Sequence, residues 1–207
     1  MNASRITLAL LVTGLGPLLS ACSVLPQAQP VAIERYTLEV RPAQAAQPVA
    51  GDAVLLVSRP QARADLDTPR MAYRQQDYTL RYFARSRWTD TPPQLLLPGL
   101  IEALEASGRF AAVVRVGSAA TPQLRLDTEL LDFSQDFRSE PSRFQLRLRA
   151  QLVDLRTRAV IASRVFEAHQ PAPAQTPYGG VQAANAAWQA LLPEVIDFCA
   201  GAASSAR

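Results

Sequence analysis

The sequence predicts an α+β two-layer sandwich: a mostly antiparallel sheet with two principal helices packed on one face. Three stretches carry that prediction. "RFQLRLRAQLV" (143–153) alternates apolar and polar residues with strict period two, as an antiparallel strand with one wet face does. "TPPQLLLPGLIEALEASG" (91–108) opens with a helix-start signal and closes on a glycine. "VQAANAAWQALLPEVIDFCA" (181–200) spaces its apolar residues by three and four. Many strands with few helices favour helices gathered on one side of an antiparallel sheet.

The elements follow in chain order. Arg5 stands before an apolar run from Ile6 through Leu19, and small residues follow, which is the pattern of a secretory signal peptide. The run is interrupted by Gly and Pro and falls short of the ~20 residues that span a bilayer. Leu19-Ser20-Ala21-Cys22 resembles the bacterial lipobox. That resemblance implies cleavage before Cys22 and fatty acyl chains, palmitate among them, on its thiol and amine. Two or three such chains anchor a protein stably where one holds it marginally. Ser23 follows the cysteine where no Asp stands, which by resemblance to enterobacterial sorting rules favours the outer membrane. Residues 1–21 are therefore expected to be a cleaved signal peptide and 22–30 a lipidated cysteine with its Pro- and Gln-containing tether. Residues 31–203 form a single periplasmic domain and 204–207 a tail.

Within that domain "IERYTLEV" (33–40) reads as a first strand, and "RPAQAAQPVAGD" breaks it as a loop. "AVLLVSRP" (53–60) is a continuous apolar run, expected as a central strand covered on both faces or nearly so. "RMAYRQQDYTLRYFARSRWTD" holds two strands about a Gln75-Gln76-Asp77 turn, with Met71 and Tyr73 on one face. Thr91 is placed to cap the first helix, Pro92 suits its first position, and Gln94 is spaced to complete a capping box. Leu97, Leu100, Ile101 and Leu104 are its expected apolar stripe, Pro98 a local fault, and Gly108 its stop. "FAAVVRV" (110–116) follows as a strand. "LRLDTELLDF" (124–133) alternates until Leu131, where the pattern switches as at a bulge. After 143–153, "DLRTRA" turns the chain and "VIASRVFEA" returns as hairpin partner. "HQPAPAQTP" reads as a proline loop. The last helix presents Val181, Ala184, Trp188, Leu191, Val195 and Cys199 on one face, with Pro193 as a kink.

Composition bounds the function. The 207 residues, 48% hydrophobic and 19% charged, suit one domain with a core. All 21 basic residues are arginine, and a formal charge of +3 does not suggest a nucleic-acid partner. With Cys22 acylated, Cys199 has no disulfide partner and is expected as a buried small hydrophobe. No catalytic or metal-binding motif occurs. His169 reads as a surface side chain in a loop, and Gly179-Gly180 as a helix lead-in rather than an anion cradle. Asp127, Glu129, Asp132 and Asp136 read as ordinary surface charge on a solvated strand. The expectation is a non-enzyme that needs no cofactor beyond the lipid on Cys22 and no metal.

The segments "RYTLEV", "RYFARSRWTDTPPQLLLPGLIEALEASGRFAAV", "LRLDTELLDFSQDF", "FQLRLRAQLVDLRTRAVIASRVFEAHQPAP" and "VQAANAAWQALLPEVIDF" together resemble the ABC-type transport auxiliary lipoprotein family. That family includes the lipoprotein component of paraquat-inducible (Pqi-type) lipid-transport systems. The resemblance implies a periplasmic accessory subunit, tethered to the outer membrane. It would dock a mammalian-cell-entry (MCE) domain protein and an ABC permease and ATPase, supporting transport of lipid or other hydrophobic molecules. Arg143, Arg147 and Arg149 form a positive stripe that could carry the docking; self-association into a homo-oligomer stays open. The second reading is a lipoprotein that itself carries lipid or lipopolysaccharide, which would need a cavity lined by Leu and Phe.

Overall fold

The computed structural model describes residues 32–39 and 51–205. Its elements run β1 (Glu34–Tyr36), β2 (Val54–Val57), β3 (Gln61–Ala62), β4 (Arg70–Arg74), β5 (Arg81–Trp88), α1 (Pro92–Ala106), β6 (Ala112–Arg115), β7 (Leu124–Asp136), β8 (Arg143–Asp154), β9 (Val160–Pro171) and α2 (Pro177–Ser205). The sheet is organised about β7. Along one side β7 pairs over its full length with β8, which pairs in turn with β9, both antiparallel. Along its other side β7 lies parallel to β2 at Leu124–Leu126, to β3 at Glu129 and Leu130, and to β4 at Ser134–Asp136. The order β1-β5-β4-β7-β2-β6 completes the sheet. The long ladders are antiparallel, as expected; β1, β2, β3 and β4 add short parallel pairings that period two does not distinguish. The two-residue β3 was not expected after Pro60.

The bulge at Leu131 is real. The β7–β8 register shifts between Leu130 and Asp132, so Leu130 faces Leu148 while Asp132 faces Arg147. An extra residue in one strand reverses which parity points inward. Before the bulge Leu124, Leu126, Thr128 and Leu130 are inside; after it Phe133 takes over, and Asp132 and Ser134 turn to the other face. β8 keeps its alternation, with Phe144, Leu146, Leu148, Ala150 and Leu152 all buried. The β8–β9 turn is tied by Asp154, whose Oδ1 accepts the backbone N–H of Arg156 at 2.7 Å and of Thr157 at 3.0 Å. Arg158 closes it with a left-handed φ of 61°.

The helices complete the inner layer. α2 is a single helix that retains Pro193, not two segments. The six residues expected on its inner face are all at most 6% exposed. α1 is rotated slightly from expectation: its stripe is Leu96, Leu100, Ile101 and Leu104, while Leu97 is half-buried. The capping box does not form. Thr91 supplies backbone acceptors for the N–H groups of Gln94 (2.9 Å) and Leu95 (3.0 Å), but its side chain makes no cap bond. Asp90 Oδ1 instead accepts the N–H of Thr91 at 2.6 Å. β2 is covered on one face only: Leu55 and Val57 are buried while Val54 and Leu56 are partly open.

Gly179 and Gly180 lie in the first turn of α2, against the chain that precedes it. A Cβ on Gly179 would fall 2.1 Å from the Ala174 carbonyl oxygen, and one on Gly180 2.2 Å from the Gln135 side chain. Both glycines are there for close approach. Gly179→Ala is expected to cost about 1–3 kcal/mol, the usual range for overpacking a filled site, read from urea unfolding midpoints.

Candidate functional site

The face of the sheet turned away from the helices gathers the polar residues of β7, β8 and β9. On β8 it carries Arg143, Gln145, Arg147, Arg149 and Gln151; on β9, Ser163, Val165, Glu167 and His169; on β7, Arg125, Asp127, Glu129, Asp132, Ser134 and Asp136. The three arginines of the expected stripe are thus on one strand face. Two of them are neutralised across the strands. Arg147 Nε donates to Glu167 Oε1 at 2.7 Å, and Arg149 pairs with Glu129 directly opposite it. Arg143 has no carboxylate partner among the described residues.

The acidic residues of β7 are not uniformly surface charge. Asp127 Oδ1 accepts the Ser58 hydroxyl at 2.7 Å while Oδ2 pairs with Arg125 at 2.8 Å. Past the bulge, Asp132 and Asp136 are only 8% and 6% exposed. Asp132 meets Arg74 at 3.4 Å and accepts the Ser134 hydroxyl at 2.7 Å. Asp136 holds the centre of a network: Arg138 donates through Nε at 2.9 Å and Nη2 at 2.7 Å, Gln145 Nε2 donates at 2.6 Å, and Arg138 reaches on to Asp77. A buried carboxylate needs such partners to stay charged. These partners were missed in the sequence because the parity switch at Leu131 hides which acids turn toward Arg74 and Arg138.

The Arg138 hydrogen bonds hold the Asp136 carboxyl below the usual carboxylate range; burial opposes them, and the Arg138 N–H and Arg74 add to the lowering. A depressed folded-state value means that the pair stabilises fully above the unfolded-state pKa of about 4 and loses its contribution as pH falls through the folded value. The melting temperature of Asp136→Asn should therefore fall furthest below that of the parent near neutral pH. The gap should close as the solution is acidified toward pH ~2.

His169 is on β9 rather than in a loop, because that strand continues to Pro171. Its Nε2 sits 3.7 Å from Glu167 Oε2 at the exposed surface, so it has a partner that the sequence did not show. Cys199 is fully buried, and burial pushes its thiol up to about 12. The thiolate is the reactive form, so Cys199 should resist thiol-directed alkylation in the native protein and react at once when urea is added. Leu19, Ser20, Ala21 and Cys22, the expected lipidation signal, lie outside the described residues, as do the rest of the signal peptide, the whole tether to residue 30 and the first residue of the expected domain. Among the described residues no group of three or more metal-ligating side chains converges, and no helix is long and apolar enough to cross a membrane.

The fold and this face define a two-layer α+β domain with a filled apolar interior and an ion-paired outer sheet surface. The chain belongs to the family of ABC-type transport auxiliary lipoprotein components, whose model matches residues 36–195. Its architecture is similar to that of protein XCC0632 from Xanthomonas campestris. The TM-score is 0.75 at 22% identity, over 83% of this chain and 97% of that one. It is similar too to an uncharacterized protein, with a TM-score of 0.63 at 12% identity over 81% and 98% of the two chains. The hypothetical protein CT253 from Chlamydia trachomatis aligns with a TM-score of 0.52 at 11% identity over 75% and 99%. These likenesses show the shared fold. No curated protein matches the chain.

Proposed function

We propose that this chain is a lipid-anchored periplasmic lipoprotein of the outer membrane that serves as accessory subunit of an ABC transporter with an MCE-domain partner. In this reading it catalyses no reaction. It supports movement of lipid or other hydrophobic molecules between the membranes by docking the periplasmic end of the assembly. The family match over residues 36–195 carries the transporter association. Anchoring at Cys22 confines the domain to a thin layer beside one membrane and raises its effective concentration for a partner reaching from the other.

One observation favours docking over carriage. The space between sheet and helices is occupied by Trp88, Phe133, Phe144, Phe166 and Trp188 together with Leu side chains, each at most 2% exposed. A carrier would need that space for acyl chains. The test is affinity isolation of the acylated protein from solubilised envelope. Co-isolation of an MCE-domain protein and an ABC permease supports the proposal. Stoichiometric bound lipid with neither transporter component would replace it with the carrier reading.

A further inference from the structure

The arginines divide into two populations. Those on or near β7, β8 and β9, such as Arg74, Arg125, Arg138, Arg147 and Arg149, are each paired with a carboxylate. A second group on β1, β4 and β5 is not. Arg35 is directly opposite Arg87, and Arg87 is directly opposite Arg70, on three adjacent strands. Arg85 is exposed two residues before Arg87. None of these four has a carboxylate partner among the described residues, and the stretches 1–31 and 40–50 contain no Asp or Glu. Adjacent strands are about 4.8 Å apart, and like charges set directly opposite repel.

Local contacts hold the row in place without neutralising it. The Arg70 guanidinium lies 3.7 Å from the centroid of the Tyr82 ring, and Arg87 donates to the carbonyls of Phe83 and Ser86. The row points outward, since the alternate pair Tyr36–Trp88 places Trp88 in the core. A row of unpaired, pre-oriented guanidiniums calls for anions with several acceptor oxygens, which phosphodiesters provide.

The place of this row in the chain selects the anion's source. β1 is the strand closest in sequence to Cys22, and the eleven residue-to-residue steps from Cys22 to Ile33 span at most about 40 Å. Ile33, half exposed at 50%, precedes Arg35 by two residues. Tyr178 stands beside Tyr36 with ring centroids 6.0 Å apart and is 57% exposed. An apolar side chain, tyrosines and arginines together suit the boundary between headgroups and water. From the geometry we infer that the β1–β5–β4 edge rests on the membrane that holds the lipid anchor, with Arg35, Arg70, Arg85 and Arg87 contacting the phosphates of anionic phospholipids. This rests on the anchored reading of Cys22, and it turns the opposite edge, β9, away from that bilayer.

The test uses the full-length acylated protein in vesicles of brominated phosphatidylcholine with and without phosphatidylglycerol. One tryptophan is introduced per variant, by Ile33→Trp or, at the opposite edge, Val160→Trp. Val160 is 55% exposed, and the native Trp88 and Trp188 are 1% exposed, so both native rings stay shielded from the lipid. In vesicles with phosphatidylglycerol, tryptophan at 33 should be quenched about fivefold more than at 160. Arg35→Glu combined with Arg85→Glu should abolish that preference, as should salt of about 1 M, where screening acts within about 3 Å. Thermal melting of the double variant confirms that it is folded.

Equal quenching at both positions, in protein that is acylated and floats with the vesicles, would overturn the inference while leaving the anchor intact. So would a preference for 33 that charge reversal and salt leave untouched. Burial of tryptophan 33 that follows protein concentration rather than lipid would assign the edge to a second copy instead. Protein that is neither acylated nor bound to vesicles would remove the anchored reading and this inference with it.

Discussion

Trp88→Ala is expected to cost about 3–5 kcal/mol of folding stability, the range for truncating a buried aromatic residue. Trp88 is 1% exposed, and its ring centroid lies 5.3 Å from Phe133 and 6.5 Å from Phe144, which are 4.8 Å from each other. These rings come from three separate strands: β5, the part of β7 beyond the bulge, and the start of β8. Removing one leaves a void that rigid strands cannot close. A domain of this size is stable by roughly 5–15 kcal/mol in total, so the variant should lie near the edge of folding. Urea unfolding should show a lower midpoint with an unchanged slope. A loss below about 1 kcal/mol would mean that the aromatic cluster is not the centre of the core.

How much of this was legible in the sequence depended on the range of the interaction concerned. α2 was readable residue by residue because helical spacing is local, and Val181 through Cys199 are buried as their spacing required. β8 was equally plain, because one strand face is wet along its whole length. The bulge at Leu131 showed as a break in alternation. Its consequence did not, since whether Asp132 and Asp136 meet water or Arg74 and Arg138 depends on strands remote in sequence. The parallel placement of β2, β3 and β4 beside β7 is similarly non-local, and the two residues of β3 carry no periodicity to detect. Thr91 met the spacing of a capping box, yet Asp90 took the N–H that the box would have used.

The same limit applies to the docking stripe. Arg143, Arg147 and Arg149 were correctly placed on one face by period two alone, but the sequence could not show that Glu167 and Glu129 stand opposite two of them. The row formed by Arg35, Arg87 and Arg70 was invisible for the converse reason. Its members come from three strands, and only the register sets them side by side.

The largest functional effect is expected from Cys22→Ala. Each buried methylene of an acyl chain contributes about 0.8 kcal/mol to membrane binding, and two or three chains anchor a protein stably where one holds it marginally. Without the thiol there is no thioether to diacylglycerol, and cleavage before residue 22 has no lipid-modified substrate. Incorporation of labelled palmitate should drop to background, and the polypeptide should keep residues 1–21 and run correspondingly larger. The domain itself should be as stable as before, because its buried core is assembled from side chains between Leu55 and Cys199. Undiminished labelling would place the acyl chains elsewhere.

The most direct measurement is mass spectrometry of the amino-terminal peptide from the protein extracted out of envelope membranes. The expected peptide begins at Cys22 and carries two or three fatty acyl chains. An unmodified amino terminus at any other residue, on protein recovered from the soluble fraction, would contradict it.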